Sequence, residues 1–267
     1  MKILGLSGKR QSGKTTTSNW IIGQQMVSSG LVSYIKIDKL GRLIVPAIMP
    51  DGNIADGIFN PLSKEPEAIA LLQEYVWPVV KLYSFADVLK ESVSKIFSIP
   101  MNQLDGTDED KNKPTQYTHE QWFPFMSAAQ KRAVRESKLI GQPVSGRQIL
   151  QIFGTEICRK IFHDVWVNAC LTKVRSEQPE LAIITDVRFP NELDGIKKAG
   201  GRVIRFTRAP FAGQDEHESE TALDNTPPSE YNAVMDNAAS TIEEQNERTN
   251  KLLLDWEYNT WDFCIKD

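Results

Sequence analysis

Four stretches of unbroken apolar character stand out along the chain: Lys2–Leu6, Val79–Phe85, Leu181–Thr185 and Arg202–Thr207. Because their apolar residues are continuous rather than alternating, they read as strands buried on both faces, as in a parallel sheet. Ala233–Met235 is a shorter fifth candidate. Between these runs the apolar positions recur at helical spacing. The first helix leaves a glycine-rich turn and carries Trp20, Ile21 and Met26 before Gly30. A second covers about Asp87–Phe97 and a third Gln148–Phe162, with Ile149, Ile152, Ile157 and Ile161 on one side. Ser240-Thr241-Ile242-Glu243 reads as a capping box opening the last helix, whose apolar side includes Leu252 and Leu254. Such alternation predicts an α/β fold: a parallel sheet with right-handed crossovers and helices on both faces.

Two segments fit the sheet poorly. Gly41–Pro78 is rich in Pro and Gly and reads as an insertion with a short helix around Glu67–Tyr75. Asn102–Val144 is polar, with Trp122 and an acidic run, and reads as a helical lid or substrate region. Neither has linker composition, so residues 1–267 are expected to form one domain carrying an insertion at about 41–78 and a lid at about 102–144.

Composition adds boundaries. A chain of 267 residues with 40% apolar and 25% charged residues can bury a full core. No run approaches the ~20 apolar residues that span a bilayer. The opening Met1-Lys2-Ile3-Leu4-Gly5 has no signal-peptide core. The three cysteines, Cys158, Cys170 and Cys264, have no metal or disulfide spacing. The expectation is a cytoplasmic protein with no membrane partner. A net charge of −4 argues against bulk electrostatic binding of duplex DNA, although Lys131–Lys160 holds seven Lys/Arg against two Glu and could meet phosphates.

The chemistry begins after the first strand. Gly8-Lys9-Arg10-Gln11-Ser12-Gly13-Lys14-Thr15 matches G-x-x-x-x-G-K-[ST] at every fixed position. Glycines let the backbone fold back and present successive N–H groups to phosphate oxygens, and the following helix adds its dipole. Gly8, Arg10, Ser12, Gly13, Lys14, Thr15 and Thr16 are therefore candidate ATP-binding residues. Lys14 would reach the β- and γ-phosphates, and the Thr15 hydroxyl would hold Mg²⁺.

Leu181–Thr185 runs into Asp186, a carboxylate at a strand end, followed by Arg188, Pro190 and Glu192. Ligands of open α/β sheets lie at the carboxyl ends of strands, so Asp186 and Arg188 should face Lys14, with Asp186 helping to hold the metal. A helix cap paired with Arg is the alternative. Asp87, after Ser84-Phe85-Ala86 and one turn before Lys90, is either an N-cap or a substrate ligand.

Taken together, these features resemble the phage-type deoxynucleoside monophosphate kinases. The resemblance rests on the phosphate loop, Ser84-Phe85-Ala86-Asp87 with Lys90, Gly106-Thr107-Asp108, Arg147-Gln148-Ile149-Leu150-Gln151, Gly154-Thr155-Glu156, Trp166-Val167, Asp186-Val187-Arg188-Phe189-Pro190-Asn191-Glu192, and Ser219-Glu220 after His217. It runs with gaps to about Asn246. It implies a P-loop kinase fold and Mg-ATP-dependent transfer to the 5′-phosphate of a deoxynucleotide. On that reading Arg188 holds the acceptor phosphate, and Arg147, Gln151 and Glu156 lie near the acceptor nucleotide. Arg208 belongs to the side that closes over ATP.

Two other functions compete. One is a kinase acting on a hydroxymethylated base in DNA, for which Asp87 or Asp186 would serve as base and the basic segment as track. The other is a P-loop ATPase or switch. His217 could sit on a nucleotide-side loop, Asp105–Asp110 reads as a solvated acidic run, and Trp122 is either a core residue or a base-stacking one. Base preference and oligomeric state leave no trace in the sequence, a homodimer being compatible with it.

Overall fold

The computed structural model describes residues 1–49, 51–210 and 221–261. In chain order, β1 (Lys2–Ser7) leads through the glycine-rich loop into α1 (Lys14–Ser28). Next come β2 (Lys36–Ile37), β3 (Leu43–Ile48), β4 (Ile54–Phe59), α2 (Pro66–Tyr75) and β5 (Val80–Tyr83). The chain then forms α3 (Phe85–Phe97), α4 (Asn102–Asp105), α5 (Asp108–Asn112), β6 (Pro114–Thr118), α6 (His119–Trp122), α7 (Ala128–Glu136), β7 (Pro143–Ser145) and α8 (Gly146–Gln151). A π-helical segment, Ile152–Arg159, continues from α8. It is followed by α9 (Val165–Glu177), β8 (Leu181–Val187), α10 (Pro190–Lys198), β9 (Arg202–Phe206), β10 (Ala233–Met235) and α11 (Ile242–Asp255). The chain divides into two units, one made of Met1–Tyr83 with Lys173–Asp267 and the other of Ser84–Thr172.

The first unit is built on a five-stranded parallel sheet of order β10-β9-β1-β8-β5. Its strands are the five apolar runs of the sequence, and their burial shows why they are continuous. Leu4, Leu6, Ile183, Ile204 and Phe206 pack with Trp20, Ile21, Ile22 and Met26 of α1 and with Leu253 of α11. The residues between them, Ile3, Ala182, Ile184 and Val203, are equally buried. β1 lies between β8 and β9, with Leu4 opposite Ile183 and Arg202. Gly5 pairs with Ile184 and Ser7 with Val187, so two residues of β8, Thr185 and Asp186, oppose one residue of β1. That bulge turns the end of β8 at the acidic position.

Several expectations need correction here. The strand expected over Val79–Phe85 ends at Tyr83, because Ser84 caps α3: its Oγ accepts from Ala86 N at 3.1 Å, and Asp87 Oδ2 accepts from Ser84 N at 3.1 Å. Asp87 is thus the third residue of the helix, closing a capping box, and not the N-cap. The last helix starts one residue later than expected. Thr241 is its cap, with Thr241 Oγ1 accepting from Glu244 N at 3.2 Å and Glu244 Oε2 from Thr241 N at 3.0 Å. The segment 41–78 holds the expected short helix as α2. Its β3 and β4, together with β2, form an antiparallel three-stranded sheet that was not foreseen. The third helix begins at Gly146 and turns π-helical at Ile152.

The second unit has its own core, in which Val93, Ile99, Leu104, Trp122, Met126, Val134, Val144, Ile149 and Ile152 are buried. Trp122 belongs to it, with ring centroids 5.0 Å from Phe97 and 6.4 Å from Tyr117. His119 is buried too, its Nδ1 2.8 Å from Gln142 O. No helix among the described residues is long and apolar enough to cross a membrane.

Ile183, on β8 between β1 and β5 of the larger sheet, is fully buried. Ile183→Ala should cost about 2–5 kcal/mol of stability. In urea unfolding this appears as a lowered midpoint with an unchanged slope.

Candidate functional site

The loop between β1 and α1 is shaped by two glycines. Gly8 has φ +154°, and a Cβ there would collide with Ser12 Oγ and come within 3.0 Å of Phe206 O. Gly13, which caps α1, has φ +104°. Ser12 N donates to Lys9 O at 3.2 Å, closing the turn. The Lys14 ammonium folds back over the loop and donates to Gly8 O at 2.8 Å and Lys9 O at 2.7 Å. Thr15 is exposed at the helix start, whereas Thr16 is buried with its hydroxyl against Gly41. Arg10 is exposed, and Lys9 is ion-paired with Asp224.

Around Lys14 the sheet gathers charge. Its pKa is lowered to about 7, first by burial, then by Arg188; Asp186 acts in the opposite direction, and Arg205 lowers it further. Asp186 and Arg188 come from the end of β8, where Glu192 Oε2 accepts from Arg188 N at 2.7 Å and Phe189 N at 3.0 Å. Arg205 was missed by sequence reasoning. It projects from β9, donating Nη1 to Ser7 Oγ at 3.1 Å and lying 5.7 Å from the Tyr231 ring. An arginine inside a buried apolar run was the available signal. Arg208 lies against the loop, with Nη2 and Nε donating to Gln11 O at 3.1 and 3.2 Å.

Within the second unit the remaining candidates fall into two groups. Lys90 Nζ lies 2.6 Å from Asp105 Oδ1 and 3.7 Å from Asp87 Oδ1, and Arg147 Nη2 donates to Asp108 Oδ1 at 2.6 Å. Lys111, not singled out from the sequence, joins them. Its pKa is lowered by partial burial and then by Lys90, with Asp105 opposing and Arg147 adding to the decrease. Gln151 ends α8 one turn after Arg147. Glu156 lies apart in the π-helical segment and pairs with Lys160 at 2.7 Å.

The acidic run Asp105–Asp110 is therefore a set of ion-pairing carboxylates and not a freely solvated one. Asp110 is held at a pKa of about 2, first by Lys113 and then by Thr107. The basic stretch 131–160 likewise diverges: Lys131 and Arg135 lie over Phe123, Arg147 meets Asp108, and Lys160 meets Glu156. Among the described residues no cluster of His, Cys, Asp and Glu could hold a metal by itself. His217, Ser219 and Glu220 lie outside the described residues.

A family model described as deoxynucleotide monophosphate kinase matches residues 84–248, more than half of the chain. The chain belongs to the deoxynucleotide monophosphate kinase family. The match starts after the glycine-rich loop, so loop and family point to phosphotransfer from separate parts of the sequence. A protein of Acanthamoeba polyphaga mimivirus named "Putative deoxynucleotide monophosphate kinase" is 28% identical over 176 residues, 60% of this chain and 76% of that protein. The deoxynucleoside-5′-monophosphate kinase of Escherichia phage T5 is 39% identical over 59 residues, 22% of this chain and 24% of that protein. As a member of this kinase family, the protein is a nucleotide phosphotransferase with a P-loop kinase fold. Membership does not favour the DNA-modifying or ATPase-switch readings.

The state of Lys14 sets a pH dependence. With its pKa lowered to about 7 in the folded protein, Lys14 loses its charge as pH rises through 7. A bound polyanion favours the charged form, so binding above pH 7 takes up a proton and weakens as pH rises. Sulfate, whose own charge is constant in this range, should bind about tenfold or more weaker at pH 9 than at pH 7. Titration followed by thermal shift checks this, and Lys14→Ala should flatten the profile.

Proposed function

We propose that this kinase transfers the γ-phosphoryl group of ATP to the 5′-phosphate of a deoxynucleoside monophosphate, with the Gly8–Thr15 loop cradling the donor. The observation that carries this reading is the convergence of Lys14, Arg188 and Arg205 with Asp186 beside the loop. Like charges held together in a half-buried place are stabilised by a polyanion. The loop glycines leave the backbone bare for phosphate oxygens, and Arg208 lies against the same loop.

The donor set also fits Mg²⁺. Thr15 presents an exposed hydroxyl at the helix start, and the Asp186 carboxylate lies within electrostatic reach of Lys14. Once bound there, the metal would neutralise phosphate charge and orient the transferring group. The acceptor phosphate is already an anionic nucleophile, so one P–O bond forms as another breaks and no side chain need remove a proton. Lys14, kept as an ammonium by the charge of the bound phosphates with a proton taken from solvent, balances charge on the transferring group. Arg188 is assigned to the acceptor phosphate, which its planar fork can bind at two oxygens. Asp87, Lys90, Arg147, Gln151 and Glu156 are assigned to the acceptor nucleotide, on the family resemblance and, for the first three, their linked charges.

Two variants test these roles. Lys14→Ala should lower kcat about a hundredfold or more with an unchanged melting profile. Near-normal turnover would remove the loop from the mechanism. Arg188→Ala should raise the acceptor KM well above any change in the ATP KM, and the reverse pattern would exchange the two assignments. Assays supply each deoxynucleoside monophosphate, each ribonucleotide counterpart and hydroxymethylated DNA as separate acceptors. Turnover confined to DNA would overturn the proposal.

A further inference from the structure

A phosphate loop binds only if its peptide planes face the right way. In a trans peptide the carbonyl and the following N–H point in opposite directions, so a carbonyl gripped from outside turns the next N–H inward. Three successive carbonyls here are gripped by side chains from elements far away in sequence. Gln11 O accepts from the Arg208 guanidinium at 3.1 Å. Ser12 O accepts from Asn237 Nδ2 at 2.7 Å, and Gly13 O from Gln245 Nε2 at 3.1 Å. Asn237 follows β10, and Gln245 is the fourth residue of α11.

The two amides form a closed set. Asn237 Nδ2 also donates to Gln245 Oε1 at 2.6 Å, Gln245 Nε2 to Thr17 Oγ1 at 2.9 Å, and Asn237 Oδ1 accepts from Arg208 N at 3.0 Å. Both hydrogens of each amide are therefore used. Asn237 is 1% exposed and Gln245 4%, so water does not compete for these bonds. The pair also fills the space over Gly13: a Cβ there would lie 2.5 Å from Gln245 Oε1 and 3.0 Å from Asn237 Nδ2. Gly13 is needed as much for this close approach as for its positive φ.

We propose that Asn237 and Gln245 are positioning residues for the phosphotransfer. They hold the Ser12–Gly13 and Gly13–Lys14 peptides so that the N–H groups of Gly13 and Lys14 face the donor phosphates. Neither side chain touches the donor itself. Through its main-chain bond to Asn237, Arg208 is fixed in the same unit. The proposal rests on the loop's role as donor cradle.

The test uses Asn237→Leu and Gln245→Met, which keep approximate volume and introduce no charge, measured in the full chain with ATP and the preferred monophosphate. Each should raise the ATP KM about tenfold or more while the acceptor KM stays within about twofold. The double variant should lose less than the product of the two, because the amides act as one unit. KM does not depend on the fraction of enzyme that is folded, so the result is readable even where a variant is less stable. Sulfate protection of the melting temperature, which needs no turnover, should weaken in both. An unchanged ATP KM with unchanged sulfate protection, accompanied only by a lower melting temperature, would make the amides structural and overturn the proposal. Lys14→Ala separates the two levels: if it retains normal turnover, the cradle reading itself fails. If it is inactive while both amide variants bind ATP normally, only the positioning role fails.

Discussion

The organisation of the larger unit depends on holding like charges close to one another. Arg188 and Arg205 both act electrostatically on Lys14, with Asp186 as the opposing charge. In water such a set would disperse. Here each cation leaves a different strand end or loop of one sheet, and the strand order sets the spacing. β1 lies between β8 and β9. Asp186 and Arg188 therefore come from one neighbour, Arg205 comes from the other, and Lys14 follows β1 itself. The β8 bulge adds the local turn that places a carboxylate in this company. Burial first, and the arginines after it, oppose protonation of Lys14, and the cations favour a polyanion, which is the physical basis for reading the place as a phosphate site.

A second constraint is orientation. Charge can attract phosphate, but a loop that is to cradle it through N–H groups must have them aimed. Carbonyls of residues 11, 12 and 13 are all held by side chains following β9 and β10 or lying in α11. The last strand and last helix thus contribute to the site although they carry none of its charged motif residues. Their apolar residues join the same core as α1, through Met235 and Leu253. Packing and loop orientation are coupled in one assembly.

The smaller unit carries a charge set of a different kind. Lys90, Lys111 and Arg147 alternate with Asp87, Asp105 and Asp108. Paired side chains on short helices hold one another in place at little net energy, since partly exposed ion pairs contribute little. What such pairing supplies is definition of side-chain position more than stability. The same ion pairs explain why Asp105–Asp110 is not a solvated tail and why the basic stretch of 131–160 forms no single track.

Much of this was legible in the chain. The glycine-rich motif identified its loop because phosphate binding needs glycine at fixed spacing, and the five strands announced themselves because burial on both faces demands unbroken apolar runs. Asp186 and Arg188 were legible as strand-end residues. Local competition was harder to read: Ser84 and Thr241 each cap a helix one residue or more from the expected boundary, since several neighbouring hydroxyl and carboxyl groups could have served. The sheet of β2, β3 and β4 escaped because Pro46 interrupts β3 after only two buried positions, Leu43 and Val45, and β4 is largely exposed with Gly57 in it. Sequence alone therefore determined the kind of chemistry, the strand set and the loop. Only the tertiary structure decided which distant side chains meet at the loop: Arg205 among the cations, Asn237 and Gln245 beneath the carbonyls. The partners of Arg205, Asn237 and Gln245 there lie far away along the chain or are backbone atoms, and neither leaves a spacing in the sequence.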